Sequence, residues 1–101
     1  MAEDTDEKFF NRADAHIHLA NEQLADVARG KVSGSLMFAA ARYNAWVSAM
    51  DLQSSQALQN RRGELVDYFI NQYKSMLEHN LDNYIAHYDD YVNPSKKSQV
   101  P

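Results

Sequence analysis

At 101 residues the chain has the length of one domain with one core. Its hydrophobic fraction of 45% comes with only 3 Gly and 2 Pro, too few turn residues for a sandwich or barrel of many short strands, so the expected element is the helix. A formal net charge of -4, from 14 acids against 10 scattered bases, argues against nucleic acid as a partner, and the lack of cysteine excludes a disulfide framework, a thiolate metal site and a thiol nucleophile.

The amino-terminal stretch from Met1 to Phe10 is acidic and has neither the basic start nor the apolar run of a secretory signal, which points to a cytoplasmic protein. Residues 1–4 are expected to be flexible. Asp4-Thr5-Asp6-Glu7 resembles a capping box, with Asp4 taking a first-turn N–H and Glu7 reaching back, so helix 1 is expected over about residues 5–29. Phe10, Ala13, Ile17, Ala20, Leu24 and Val27 follow at spacings of three and four and form one packing stripe. Gly30 supplies a left-handed stop, with Arg29 beside the carbonyl end of the dipole.

Ser33 is the expected cap of helix 2 (34–54), with Val32 and Met37 placed as a hydrophobic staple. A turn this short predicts helices 1 and 2 antiparallel. From Leu36 to Met50 twelve of fifteen residues are apolar, counting alanine and tyrosine, and only Arg42, Asn44 and Ser48 interrupt. A helix that is apolar nearly all round must be covered on several sides. A membrane span is the weaker alternative, since Arg42 at its middle would cost roughly 2.5–3.5 kcal/mol on insertion scales.

Asp51 to Gly63 is polar and holds a break whose place the pattern does not fix. Helix 3 is expected over 62–92. Val66, Ile70, Tyr73, Leu77, Leu81, Tyr84 and Tyr88 form its main stripe, broadened by Leu65, Phe69, Met76 and Ile85. Asn93-Pro94 stops it, and residues 94–101 are expected to be a disordered tail. The predicted fold is thus all-α, with residues 5–93 forming a single up-down-up bundle of three long helices completed by homodimerisation. Its core should hold Phe10, Ile17, Leu24, Leu36, Tyr43, Trp46, Val47, Phe69, Tyr73, Leu77 and Leu81.

The polar residues that could carry chemistry are few. His16 and His18 point about 200° apart on a helix and cannot share a metal ion. Asp14, His18 and Glu22 share a face at i, i+4, i+8, as do His79, Asn83 and His87, and both sets read as solvated surface. No Glu-x-x-His pair of di-metal bundles, H-E-x-x-H, G-x-S-x-G or phosphate-binding glycine motif occurs. No catalytic residue, cofactor or metal site is therefore expected. Arg42 and Asn44 are the most informative positions, lying in the most apolar segment. The structural reading gives Arg42 an acid such as Asp14 or Asp82, or an exit to solvent at an edge, and has Asn44 fix register by bonding across helices. The functional reading makes them the anion anchor of a small-molecule pocket. Tyr84, Tyr88 and Tyr91, at i, i+4, i+7, are either core with hydroxyls at its rim or an anchor for a binding partner.

Three runs carry a family resemblance: Arg12 to Asn21; Gly30-Lys31-Val32-Ser33 with Ser35-Leu36-Met37; and Ala39 to Ala45. Tyr68-Phe69, Gln72-Tyr73, Met76-Leu77-Glu78 and Asn80-Leu81-Asp82 continue it. The chain resembles a family of short bacterial proteins known as domain of unknown function 3144, over all but its tails. The resemblance implies a bacterial, all-helical, cytoplasmic protein and supplies neither an activity nor catalytic residues. The function expected from the residues is a non-enzymatic interaction or adaptor module acting through a helical face. Its first partner would be a second copy of itself, then another protein, with neither nucleic acid nor membrane involved. The alternative is a small-molecule binder with its anion pocket at Arg42 and Asn44.

Overall fold

The computed structural model describes residues 6–92. Among them there are three long helices and one short one, and no strand: α1 (Phe9–Gln23), α2 (Arg29–Leu52), α3 (Ser55–Ala86) and α4 (Tyr88–Val92). No described helix is long and apolar enough to cross a membrane. The helices fall into two compact units divided between Gln59 and Asn60, a boundary that α3 itself runs through.

The first unit begins with a local device. Asp6 Oδ1 accepts the Lys8 N–H at 2.8 Å, the Asp6 carbonyl accepts the Phe9 N–H at 3.0 Å, and Arg12 reaches back to the Asp6 carboxylate at 3.1 Å. An aspartate turn of this kind occupies first-turn donors that would otherwise lack partners. The expected Asp4 cap, the flexible residues 1–4, the stop at Asn93-Pro94 and the tail 94–101 lie outside the described residues. Phe9, Ala13, Ile17 and Ala20 make the half-buried line of α1. Phe9 takes the place predicted for Phe10, which packs edge-on against it with centroids 5.1 Å apart and is itself exposed.

Helix 1 stops six residues before its predicted end. The N–H groups of Leu24, Ala25 and Asp26 bond three residues back, to Asn21, Glu22 and Gln23, a tightening that closes α1. Leu24 and Val27 consequently leave the stripe and lie exposed in the connection. Ala28 is extended at ψ 153, and its carbonyl accepts the N–H of Lys31 and of Val32, so α2 starts at Arg29. Gly30 and Ser33 therefore lie inside α2, and neither is the stop or the cap that the sequence suggests. Val32, near the turn where α1 and α2 meet, is 6% exposed, and Ser48 is 7% exposed; these are the buried residues among those described.

α2 ends at Leu52 and is closed by Gln53, whose backbone is left-handed at φ 61 and whose N–H bonds the Ala49 carbonyl at 3.0 Å. Ser54 starts α3, its Oγ accepting the Ala57 N–H at 3.0 Å. The break within the polar segment is thus at residues 53–54, and α3 begins seven residues earlier than predicted. Its 32 residues extend about 48 Å and carry exposed ion pairs Arg61–Glu64 and Lys74–Glu78 along their length.

The predicted core is not buried within one chain. Ile17 and Phe69 are half-buried, while Phe10, Leu24, Leu36, Tyr43, Trp46, Val47, Tyr73, Leu77 and Leu81 are exposed. Spacing alone reports which residues share a face; it does not report whether anything covers that face.

Candidate functional site

Large apolar side chains are exposed on both α2 and α3, among them Val66, Ile70, Tyr73, Leu77 and Leu81 on α3, and those of α2 include its aromatic pair. Leu36, Ala40, Tyr43, Val47 and Met50 recur at spacings of 4, 3, 4 and 3, which keeps them on one line of the helix. Every one of them is exposed, Tyr43 by 63% and Met50 by 56%. Trp46 flanks the line, 54% exposed, and its ring leans on Tyr43 at 5.5 Å with the planes tilted by 42°. The spacing could have been read from the sequence, but it is masked there by alanines and Phe38, which make α2 look apolar all round.

Arg42 and Asn44 do not converge on an enclosed pocket. Arg42 is exposed and holds no carboxylate among the described residues, so it takes the solvent exit of the structural reading. Neither Asp14 nor any other acid among the described residues is its partner. Asn44 is half-buried, and its backbone carbonyl rather than its side chain makes the bond here, accepting Ser48 Oγ–H at 2.9 Å. No interhelical bond of Asn44 fixes a register in the chain. Ser48 reads in the sequence as a mere interruption; bonding back to its own helix lets its hydroxyl be buried. On α1, Asn21 Nδ2 is buried with no hydrogen-bond partner among the described residues, a cost of about 1–3 kcal/mol.

The tyrosines behave differently. α3 breaks at His87, whose carbonyl accepts the N–H of both Asp90 and Tyr91 and so opens α4. Asp89 and Asp90 in the first turn of α4 suit its positive end. The break brings the Tyr91 ring onto Tyr84, stacked with centroids 4.4 Å apart and planes 27° apart. Asn83 Nδ2 donates to the Tyr91 hydroxyl at 2.9 Å, and His87 lies edge-on to Tyr91 at 6.4 Å. Tyr84 and Asn83 are half-buried by this arrangement, whereas Tyr88 stays outside it and exposed. Of the three predicted tyrosines, then, two form a local cluster and one does not. An unbroken helix to residue 92 was the expectation; the break at His87 replaces it.

His16, His18, His79 and His87 are all exposed, and no three His, Asp or Glu side chains among the described residues gather as a metal-binding group. The carboxyl of Asp6 is held below its ordinary value, first by the Arg12 hydrogen bond and then by the Lys8 N–H. It belongs to the start of α1, not to a reactive site.

No curated protein matches the chain. It is similar to a Shewanella protein whose structure was solved by NMR, with a TM-score of 0.71 and 37% identity over 84% of this chain and 91% of that one. A family pattern matches residues 9–85, which take in α1, α2 and nearly all of α3, and the chain belongs to that family, described as protein of unknown function (DUF3144).

Proposed function

We propose that the chain is a non-enzymatic helical interaction module that works through the exposed face of α2. The observation behind this reading is the line Leu36, Tyr43, Val47 and Met50 with Trp46 at its side, large apolar residues left in contact with water. A contiguous apolar patch on a small protein marks a place where something binds, because covering it returns about 25 cal/mol for each Å² removed from water. Aromatic side chains at its centre are the type that dominates interface energies. Completion of an up-down-up bundle by a second copy, in the cytoplasm of a bacterium, belongs to the same proposal.

The test compares the full chain with a Tyr43→Glu/Trp46→Glu variant, by light scattering across a dilution series and by co-purification from the native cell. An association, with itself or with another protein, that the variant loses while keeping its helical circular dichroism supports the reading. A wild-type chain that stays monomeric and retains nothing the variant does not also retain overturns it.

A further inference from the structure

We propose that the occupant of the α2 face is a second copy of this chain, laid antiparallel along α2 about a two-fold axis, with Tyr43 seated over the partner's Ala40. The inference rests on the interaction reading above and adds to it the partner, the direction and the register.

Three features of α2 converge on this arrangement. The first is the 4-3-4-3 line itself, which is the spacing by which one helix meets another through interlocking side chains. Extended back to Ser33, it runs about 26 Å to Met50.

The second is size. In an antiparallel pair, positions of one kind along the line stack on positions of the other kind. The layers become Ser33 with the partner's Met50, Leu36 with the partner's Val47, and Ala40 with the partner's Tyr43, each repeated by symmetry. Beside the line, Trp46 comes over the partner's Ala39. Each large side chain meets a smaller one, which fills space evenly. A parallel pair would set Tyr43 on the partner's Tyr43 and Ala40 on the partner's Ala40, crowding one layer and leaving a void in the next.

The third is charge. Arg29 begins α2 and Asp51 lies in its last turn, each at the end of the helix dipole that disfavours it. Neither has an ion-pair partner among the described residues. An antiparallel copy brings Arg29 to the carbonyl end of the partner's α2, within reach of the partner's Asp51, and does the same in reverse at the other end. Both misplaced charges are corrected together. A parallel copy would set like against like at each end.

The chain contains no cysteine, so single-cysteine variants report position cleanly. Ser33→Cys and Met50→Cys, both at exposed positions, are oxidised separately and as an equal mixture. A disulfide needs Cα atoms within roughly 7 Å. The expected result is a dimer mass in light scattering, no cross-link from either variant alone, and a cross-linked pair from the mixture. Cross-linking of Met50→Cys alone would show parallel helices and overturn the proposal. So would a dimer that cross-links in neither setting, because another face would then hold it.

Charge reversal gives an independent reading that leaves the apolar line intact. Arg29→Glu or Asp51→Arg alone should weaken the dimer about tenfold, and the two together should restore it; no restoration overturns the antiparallel direction. A monomer that still retains another protein through Tyr43 and Trp46 overturns the self-pairing and leaves the interaction reading standing. A monomer that retains nothing overturns both.

Discussion

Tyr84 and Tyr91 stack face to face and leave Tyr84 half-buried, whereas Tyr43 and Trp46 touch one another and both still face solvent. The difference lies in the backbone. At His87 the helix breaks, α4 restarts, and a stacked pair with a donated hydrogen bond becomes possible across seven residues of sequence. α2 runs unbroken from Arg29 to Leu52, so a straight cylinder holds its aromatics pointing outward with only the adjacent turn to lean on. One region covers part of its aromatic surface internally; the other presents it. Similar residue types thus serve two different ends, and the continuity of the helix decides between them.

The largest effect expected from this contrast is on association. Tyr43→Glu with Trp46→Glu should lower self-affinity by at least about a hundredfold, since two hot-spot aromatics are each worth about 2 kcal/mol or more. Because neither side chain is buried in the single chain, helical content at low concentration should stay within error of wild type. Loss of the fold itself would mean that the α2 aromatics support the chain internally, and the contrast would fail.

Tyr91→Ala should act the other way round. Removing the ring costs the stacking energy, about 0.5–1.5 kcal/mol, together with the Asn83 hydrogen bond. The cost should appear as faster amide exchange in α4 and the end of α3, with association unchanged. Should Tyr91→Ala weaken the proposed self-association as much as the α2 variant does, the carboxyl end is part of the interface too.

The positions of α1, α2 and α3 show where sequence reasoning succeeds and where it fails. Three long helices were legible from apolar residues at helical spacing, but the buried face was read correctly only in α1, where Ala13, Ile17 and Ala20 are half-buried. In α3 the half-buried Leu65 and Phe69 stood at the edge of a predicted stripe whose Val66, Ile70, Tyr73, Leu77 and Leu81 are exposed. The boundaries were less legible because glycine is a misleading marker here. Gly30 sits in the first turn of α2 and Gly63 in the interior of α3, and no described glycine has positive φ. The left-handed residue is Gln53, which nothing in its type announces. The site was half legible. Arg42 and Asn44 drew attention as polar groups in an apolar run, an argument that presumed the run was buried on all sides; it is half-buried at Asn44 and exposed at Arg42, so Arg42 needs no partner.

Gln53 leads to a prediction that sharpens the account of α2. A non-glycine residue in the left-handed region costs roughly 1–2 kcal/mol, and glycine at a helix end removes that cost. Gln53→Gly should raise the unfolding free energy by about 1 kcal/mol, measured by denaturant melts at a concentration where the chain is monomeric. It should leave association unchanged, because residue 53 follows α2 and stands outside the apolar line. A fall in stability would show that the Gln53 side chain contributes more than its backbone costs.

The smallest expected effect is at Asp6, and its sign follows from the lowered pKa. A carboxyl whose pKa is lower in the folded chain than in the unfolded one stabilises the fold fully above its unfolded pKa, about 3.9 for aspartate. That contribution disappears as pH falls through the lower folded value. The Arg12 and Lys8 contacts of Asp6 should therefore be intact at neutral pH and fail only in strong acid, loosening the first turn of α1. Asp6→Asn keeps a side-chain oxygen for the Lys8 N–H and removes the charge that attracts Arg12. Its amide exchange at Lys8 and Phe9 should be slightly faster than wild type at pH 7, with the difference vanishing once the wild-type carboxyl is protonated. None of Asp6, Lys8 and Arg12 belongs to the apolar line of α2, so affinity for the proposed second copy should not follow this titration. If it did, the start of α1 would have to be counted with the exposed face of α2 as part of one surface.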